Sequence, residues 1–162
     1  MDLCMHSYCG DKSKAASLFS MKEWLHNSMN DIPQDAETLW DAFRKKHVTA
    51  TPEEWVRQSA LRELVLDCGY PTESIAVERA FKIGDLTKRF DIAVFHQGQL
   101  FLVIECKADS IGLSEKVSDQ WMRYNRSLHA PYGAITNGRE WKVFQADGSR
   151  VANLPEFGNF AL

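Results

Sequence analysis

The chain has 162 residues, 44% apolar, 25% charged and 11% aromatic, with a formal net charge of -3 and a pI near 5.9. That size suits one compact domain of roughly 100–200 residues and leaves no room within it for a motor or a second catalytic module. The apolar content excludes a disordered chain, and nine Gly with five Pro exclude a collagen-like one. The acidic balance provides no global pull toward nucleic acid or anionic membrane, so binding to a polyanion must come from a local patch or a bound metal.

No apolar run approaches the roughly 18–20 residues needed to span a bilayer, and the first residues are polar where a signal peptide needs an apolar core. A cytoplasmic protein is expected. The four cysteines, Cys4, Cys9, Cys68 and Cys106, lack paired zinc spacing and read as reduced thiols. Cys4, His6 and Cys9 have no second ligand pair to complete a zinc site.

In chain order, residues 1–16 read as a polar start. Ser20 and Glu23 fit a capping box for a short helix carrying Met21, Trp24, Leu25 and Met29, ended before Pro33. A second helix is predicted from Asp35 to Lys46, with Leu39 and Phe43 on its apolar stripe and Arg44, Lys45 and Lys46 in its last turn. Together these form a helical extension over residues 1–50, ahead of a core spanning 51–162. Thr51, with Pro52 at the first helical position and Glu53 and Glu54 in the first turn, starts the next helix. Its stripe is Val56, Ala60, Leu64 and Cys68, and Gly69 followed by Pro71 stops it.

The pattern then switches to period two. Ser74–Phe81 and Lys88–Phe95 read as strands around a turn at Gly84, and Gln99–Lys107 as a third after Gly98. The unbroken apolar run Leu100–Ile104 makes this third strand central, covered on both faces. A helix from Ser114 to Leu128 carries Val117, Trp121, Tyr124 and Leu128 on one stripe. Tyr132–Thr136 and Glu140–Gln145 then form a hairpin at Asn137 and Gly138, with another turn at Asp147 and Gly148. The order predicts an α/β (α+β) fold with a mixed central sheet flanked by helices.

One feature resists explanation as packing. The third strand is apolar until Glu105 and Lys107, which alternation puts on one face. Asp91 sits in the preceding apolar strand, and a symmetric hairpin about Gly98 brings it level with Glu105. Two carboxylates and an ammonium then converge. Charges in such a setting are costly unless paired or coordinated to a cation, and an all-oxygen acid pair suits Mg²⁺ or Mn²⁺ rather than zinc. A plain internal ion pair, with Lys107 neutralising an acid, is the competing explanation.

Asp91 followed fourteen positions on by Glu105, Cys106 and Lys107 resembles the signature of the PD-(D/E)xK nucleases. The wider text is similar to the N-terminal nuclease domain of the type I restriction enzyme R subunit. It carries Thr51-Pro52-Glu53-Glu54-Trp55-Val56-Arg57-Gln58, then Gly69-Tyr70-Pro71 and Lys88-Arg89-Phe90-Asp91. Ile104-Glu105-Cys106-Lys107-Ala108, Asp119-Gln120 with Tyr124-Asn125, and Thr136-Asn137-Gly138 follow. Phe90 stands where the general signature has proline, as it does in that family.

The resemblance implies a restriction-endonuclease-like core and a metal-dependent deoxyribonuclease linked to restriction or DNA processing. Asp91, Glu105 and the Cys106 carbonyl would hold Mg²⁺, with Mn²⁺ as the alternative, to polarise the scissile phosphate and acidify the attacking water. Lys107 would orient that water and stabilise developing charge. Gln120 and Tyr124 match a QxxxY element and share a helical face, although Tyr124 also fits the core stripe. Glu53 or Glu54 could add a carboxylate or simply favour the helix dipole. Arg57, close to an apolar stripe, could pair with an active-site acid, and Glu78 could approach the site or lie at the surface. Lys88, Arg89, Arg123, Arg126, Arg139 and Lys142 are candidate DNA-backbone contacts, and His47, His96 and His129 read as structural.

The implied partners are DNA, proteins supplying specificity or translocation, and a second copy of the chain; no membrane is implied. No GxxxxGK[ST] loop occurs in the 162 residues, so cleavage is expected to be motor-independent or to rely on a partner for translocation. Two alternatives remain at this level. One is a catalytically silent nucleic-acid-binding or assembly module with the same fold, and the other is a scaffold in which the acids and Lys107 form a buried ion pair.

Overall fold

A computed structural model of the chain describes residues 36–114 and 117–159. The first predicted helix and the Cys4, His6, Cys9 group lie outside the described residues. The fold is α/β, with a six-stranded mixed sheet and a helix against each face.

The helix expected over Asp35–Lys46 is not formed where the chain is described. Strands β1, Thr38–Asp41, and β2, Lys46–Thr49, pair antiparallel, with Trp40 opposite His47. The reason is period-two burial: Leu39 and Asp41 point inward while Trp40 is exposed. Thr38, Val48 and Thr49 are β-branched and suit the pleat. Asp41 accepts the Arg44 backbone N–H at 2.7 Å, closing a tight turn in which Lys45 takes φ +52°. The basic run that suggested a helix end is this turn.

Helix α1, Pro52–Arg62, starts as expected, with the Thr51 hydroxyl accepting the Glu54 N–H at 3.1 Å. It continues as a π turn over Glu63–Asp67, closed by Cys68 N–H to the Glu63 carbonyl at 3.0 Å. That wider turn rotates the chain by one residue. Val56, Ala60 and Leu64 are buried as predicted, but Cys68 is exposed rather than on the stripe. Gly69, at φ +71°, ends the helix, with Tyr70 N–H reaching back to the Leu64 carbonyl.

Strands β3, Ile75–Ile83, β4, Leu86–His96, and β5, Gln99–Cys106, form an antiparallel meander. The β4–β5 turn has Gln97 at φ +51° and Gly98 at φ +77°, the backbone of a type I′ turn. Helix α2, Val117–Leu128, crosses over and returns the chain to β6, Tyr132–Thr136, parallel to β5. Strands β7, Trp141–Gln145, and β8, Arg150–Val151, complete the sheet in sequential order β3 to β8. The β6–β7 connection is a four-residue loop over 137–140, in which the Asn137 side-chain oxygen accepts the N–H groups of Arg139 and Glu140 at 3.1 Å each. The turn at Asp147 and Gly148 leads into β8, which sequence reading did not anticipate.

The sheet buries both faces. Val56, Ala60, Leu61 and Leu64 of α1 pack on Ile92, Val94, Leu102 and Ile104. On the other face Trp121 of α2 packs with Phe90, Ala93, Val103, Ile135 and Phe144. The run Leu100–Ile104 is therefore central, with interiors on either side. Gly133 of β6 lies beneath the Trp121 ring, so close that a Cβ there would collide with it.

Candidate functional site

The hairpin register predicted around Gly98 is observed: Ile92 faces Ile104, Ala93 faces Val103 and Val94 faces Leu102. A bulge between Val94 and Phe95 shifts only the end near the turn. Asp91 and Glu105 stand one step beyond the Ile92–Ile104 pair, near the end of β5, where β4 no longer pairs with it.

Asp91 is held from two sides. Its Oδ2 accepts the Cys106 backbone N–H at 2.7 Å and its Oδ1 accepts Arg57 Nη2 at 2.7 Å. These are charge-assisted bonds that fix its rotamer. The Cys106 thiol points away into the α1 core, where burial, reinforced by the Asp91 charge, raises its pKa. Cys106 therefore serves through its backbone, and its sulfur is not a nucleophile.

Behind Asp91, under α1, lies a charge network only partly anticipated. Arg57 also bonds Glu54 at 2.6 Å and lies 3.6 Å from Glu78. Arg44, from the β1–β2 turn, reaches Asp41 at 2.7 Å, Glu54 at 2.5 Å and Glu78 at 3.2 Å. The Gln58 amide donates to Asp41 and to Glu54, at 2.8 Å each. Four carboxylates are thus knitted by two guanidiniums, with Asp41 wholly buried and Glu54 nearly so. Burial alone would lower the Arg44 pKa, but its bonds to Glu54 and Asp41 outweigh that and raise it. Glu78 enters this network with φ +53°, a left-handed conformation uncommon outside glycine. Of the two first-turn acids, Glu54 faces inward and Glu53 is exposed.

Glu105 enters a cleft beneath α2 lined by Lys88, Lys107, Gln120, Tyr124, Phe90 and Trp121, near enough to Asp91 for that charge to act on it. Its Oε1 is 2.6 Å from Lys88 Nζ. That ammonium also lies 5.4 Å from the Phe90 ring and 5.7 Å from the Tyr124 ring. Burial raises the Glu105 pKa; the bond and charge of Lys88 oppose this, Asp91 adds to it and Lys107 opposes it. Lys107 is exposed at the cleft mouth, and its N–H bonds the Thr136 carbonyl at 2.9 Å. The Gln120 amide donates to the Tyr124 hydroxyl at 2.9 Å, and the Tyr124 ring meets Phe90 edge-on, so Tyr124 belongs both to the cleft and to the core.

The predicted residues therefore fall into two groups meeting at the ends of β4 and β5. Asp91, Arg57, Glu54 and Glu78 gather under α1, and Glu105, Lys107, Gln120 and Tyr124 under α2. Sequence reading missed Asp41, Arg44 and Gln58, and it placed Lys88 at the DNA surface rather than on Glu105. Lys142, also expected at that surface, is buried and donates to the Leu113 carbonyl at 2.7 Å. Arg139 pairs with Asp109 at 3.2 Å in the open. Among the described residues no group of three or more His, Cys, Asp or Glu side chains is disposed to hold a metal ion, and no helix is long and apolar enough to cross a membrane.

A family model described as the type I restriction enzyme R protein N terminus matches residues 52–157, from the start of α1 to beyond β8. No curated protein matches the chain.

Proposed function

This chain belongs to the family of type I restriction enzyme R protein N-termini, and on that premise we propose that it hydrolyses DNA phosphodiester bonds with Mg²⁺ or Mn²⁺ held at Asp91 and Glu105. The observation that carries the reading is the placement of those acids on the two arms of one hairpin, each one step beyond the Ile92–Ile104 pair and near the end of β5.

The donor set fits a hard divalent cation. Mg²⁺ binds through one or two carboxylates together with waters and substrate phosphate, and the two carboxylates with the Cys106 carbonyl would supply such a set. When bound, the ion supplies polarisation of the phosphate and a lowered pKa for the attacking water. The rest falls to side chains. Arg57 and the Cys106 N–H hold the Asp91 carboxylate in place. Lys88 pairs with the half-buried Glu105 carboxylate, which would hold the ion together with Asp91. Lys107, at the cleft mouth, orients the nucleophilic water and stabilises charge growing on the phosphate. Gln120 and Tyr124 line the same cleft and position the phosphate.

The test is cleavage of duplex DNA in Mg²⁺ or Mn²⁺. Asp91→Ala, Glu105→Gln and Lys107→Ala are each expected to lower the rate by about a hundredfold or more, with unchanged circular dichroism. Undiminished cleavage in all three would sink the assignment. One observation favours a second reading, a non-cleaving DNA-binding or assembly module: both acids already have protein cations, Arg57 and Lys88, as partners. Wild-type chain that binds DNA but never cuts it would select that reading. Restriction or DNA processing is the proposed setting, with protein partners supplying specificity and translocation.

A further inference from the structure

Strands β3 and β4 extend beyond the sheet. Pairing of β4 with β5 begins only at Ile92, whereas β3 and β4, after a break at Glu78 and Asp91, are paired again out to Ile83 and Leu86. Residues 79–90 are thus a two-stranded ribbon, closed by a turn with Gly84 at φ +60°, as a type II′ turn requires.

The two faces of the ribbon differ. Phe81, Ile83 and Phe90 pack on the α2 core, and Lys88 reaches Glu105 from that side. On the other face the rungs Ala80–Arg89 and Lys82–Thr87 are exposed throughout. Residues 79–90 hold four bases, Arg79, Lys82, Lys88 and Arg89, against one acid, Asp85, in a chain whose net charge is -3. Among the described residues Lys82 and Arg89 take part in no ion pair. Inward of these rungs the register skips Glu78 and Asp91, whose carboxylates both turn toward Arg57 on this side. Each two-residue step is about 7 Å, so Arg89 and then Lys82 lead away from Asp91 in a line.

The geometry points to this face as the track for the backbone of duplex DNA, with Arg89 and Lys82 each holding a phosphate and the strand delivered to Asp91. A two-stranded ribbon is slim enough to follow a groove of the duplex, and small Ala80 and Thr87 between the cations permit close approach. This rests on the proposed reading that DNA is the substrate, and it names the surface that receives it.

The experiment measures binding of a short duplex oligonucleotide by fluorescence anisotropy across a salt series, in EDTA so that nothing is cut. Lys82→Gln with Arg89→Gln is compared with Arg123→Gln with Arg126→Gln on the exposed side of α2. The ribbon variant is expected to bind about tenfold more weakly, and its slope of log K against log salt to fall by about 1.8, two phosphate contacts' worth. The α2 variant, at the competing candidate contacts, is expected to change both quantities by less than half as much. Wild-type affinity and slope in the ribbon variant, or transfer of the loss to the α2 variant, would overturn the inference while leaving the nuclease reading intact. No duplex binding by wild type at low salt would overturn both. Thermal unfolding of each variant confirms that the fold is kept.

Discussion

Arg44 touches three carboxylates from a turn that precedes the family-matched region. Removing it leaves Asp41 and Glu54 buried with less than their full compensation. Arg44→Ala is expected to cost about 3 kcal/mol in urea unfolding, and Arg44→Lys to recover only part, because an ammonium lacks the planar fork. A loss below about 0.5 kcal/mol, the range of ordinary surface changes, would show that the network is solvated. Glu105 yields a pH prediction. Its carboxyl, raised by burial against the opposing Lys88, is easier to protonate folded than unfolded. As pH climbs from the ordinary value of 4.5 toward the raised one, the unfolded chain ionises first and stability falls; above the raised value the loss is complete. In EDTA, Glu105→Gln removes this penalty, so its Tm relative to wild type should rise across that window. A Tm difference, variant minus wild type, that stays level or falls across the window would contradict the assignment. Asp91, Glu105 and Lys107 were legible because charges alternating within apolar strands have no packing explanation. Asp41 and Arg44 were not, because their meaning depends on Glu54 and Glu78, which only tertiary structure brings near.

At the scale of elements, period two was the dependable signal. It located the strands of the main sheet to within a few residues, except β8, which has two residues and too little pattern to read. The failure at Asp35–Lys46 has the same origin. Leu39 and Phe43 fit a helical stripe, but Leu39 and Asp41 fit a strand equally well, and only knowing that Asp41 is buried decides between them. Nor does periodicity reveal the π turn that turns Cys68 outward. The contact between α2 and the sheet depends on the absence of a side chain at Gly133, beneath Trp121. The Trp121 indole also donates to the Gln145 carbonyl at 2.9 Å, so the ring has little freedom to yield. Gly133→Ala is expected to cost about 1–3 kcal/mol through overpacking. Because α2 carries Gln120 and Tyr124, cleavage should fall further than stability alone explains. A variant as stable and as active as wild type would show that the helix slides without penalty.

For the whole molecule, a net charge of -3 first argued against a polyanion partner. The distribution revises this, since acids are gathered into the α1 network while the ribbon carries most of its local charge as base. A bound divalent cation should stabilise the fold by mass action, about 2.7 kcal/mol at a hundred times its Kd. That would appear as a rise in Tm with Mn²⁺ that disappears in Asp91→Ala; a wild-type Tm indifferent to Mn²⁺ and Mg²⁺ would count against the proposed site. The turn at Gln97 and Gly98 has a kinetic consequence. It joins the arms carrying Asp91 and Glu105 through a local closure, of the kind completed in microseconds. The parallel β5–β6 pair must wait for the α2 crossover, and Arg57 lies 34 positions from Asp91. Contact distance therefore orders assembly: the two acids meet early on a nascent hairpin, and the guanidinium that restrains one of them arrives afterwards.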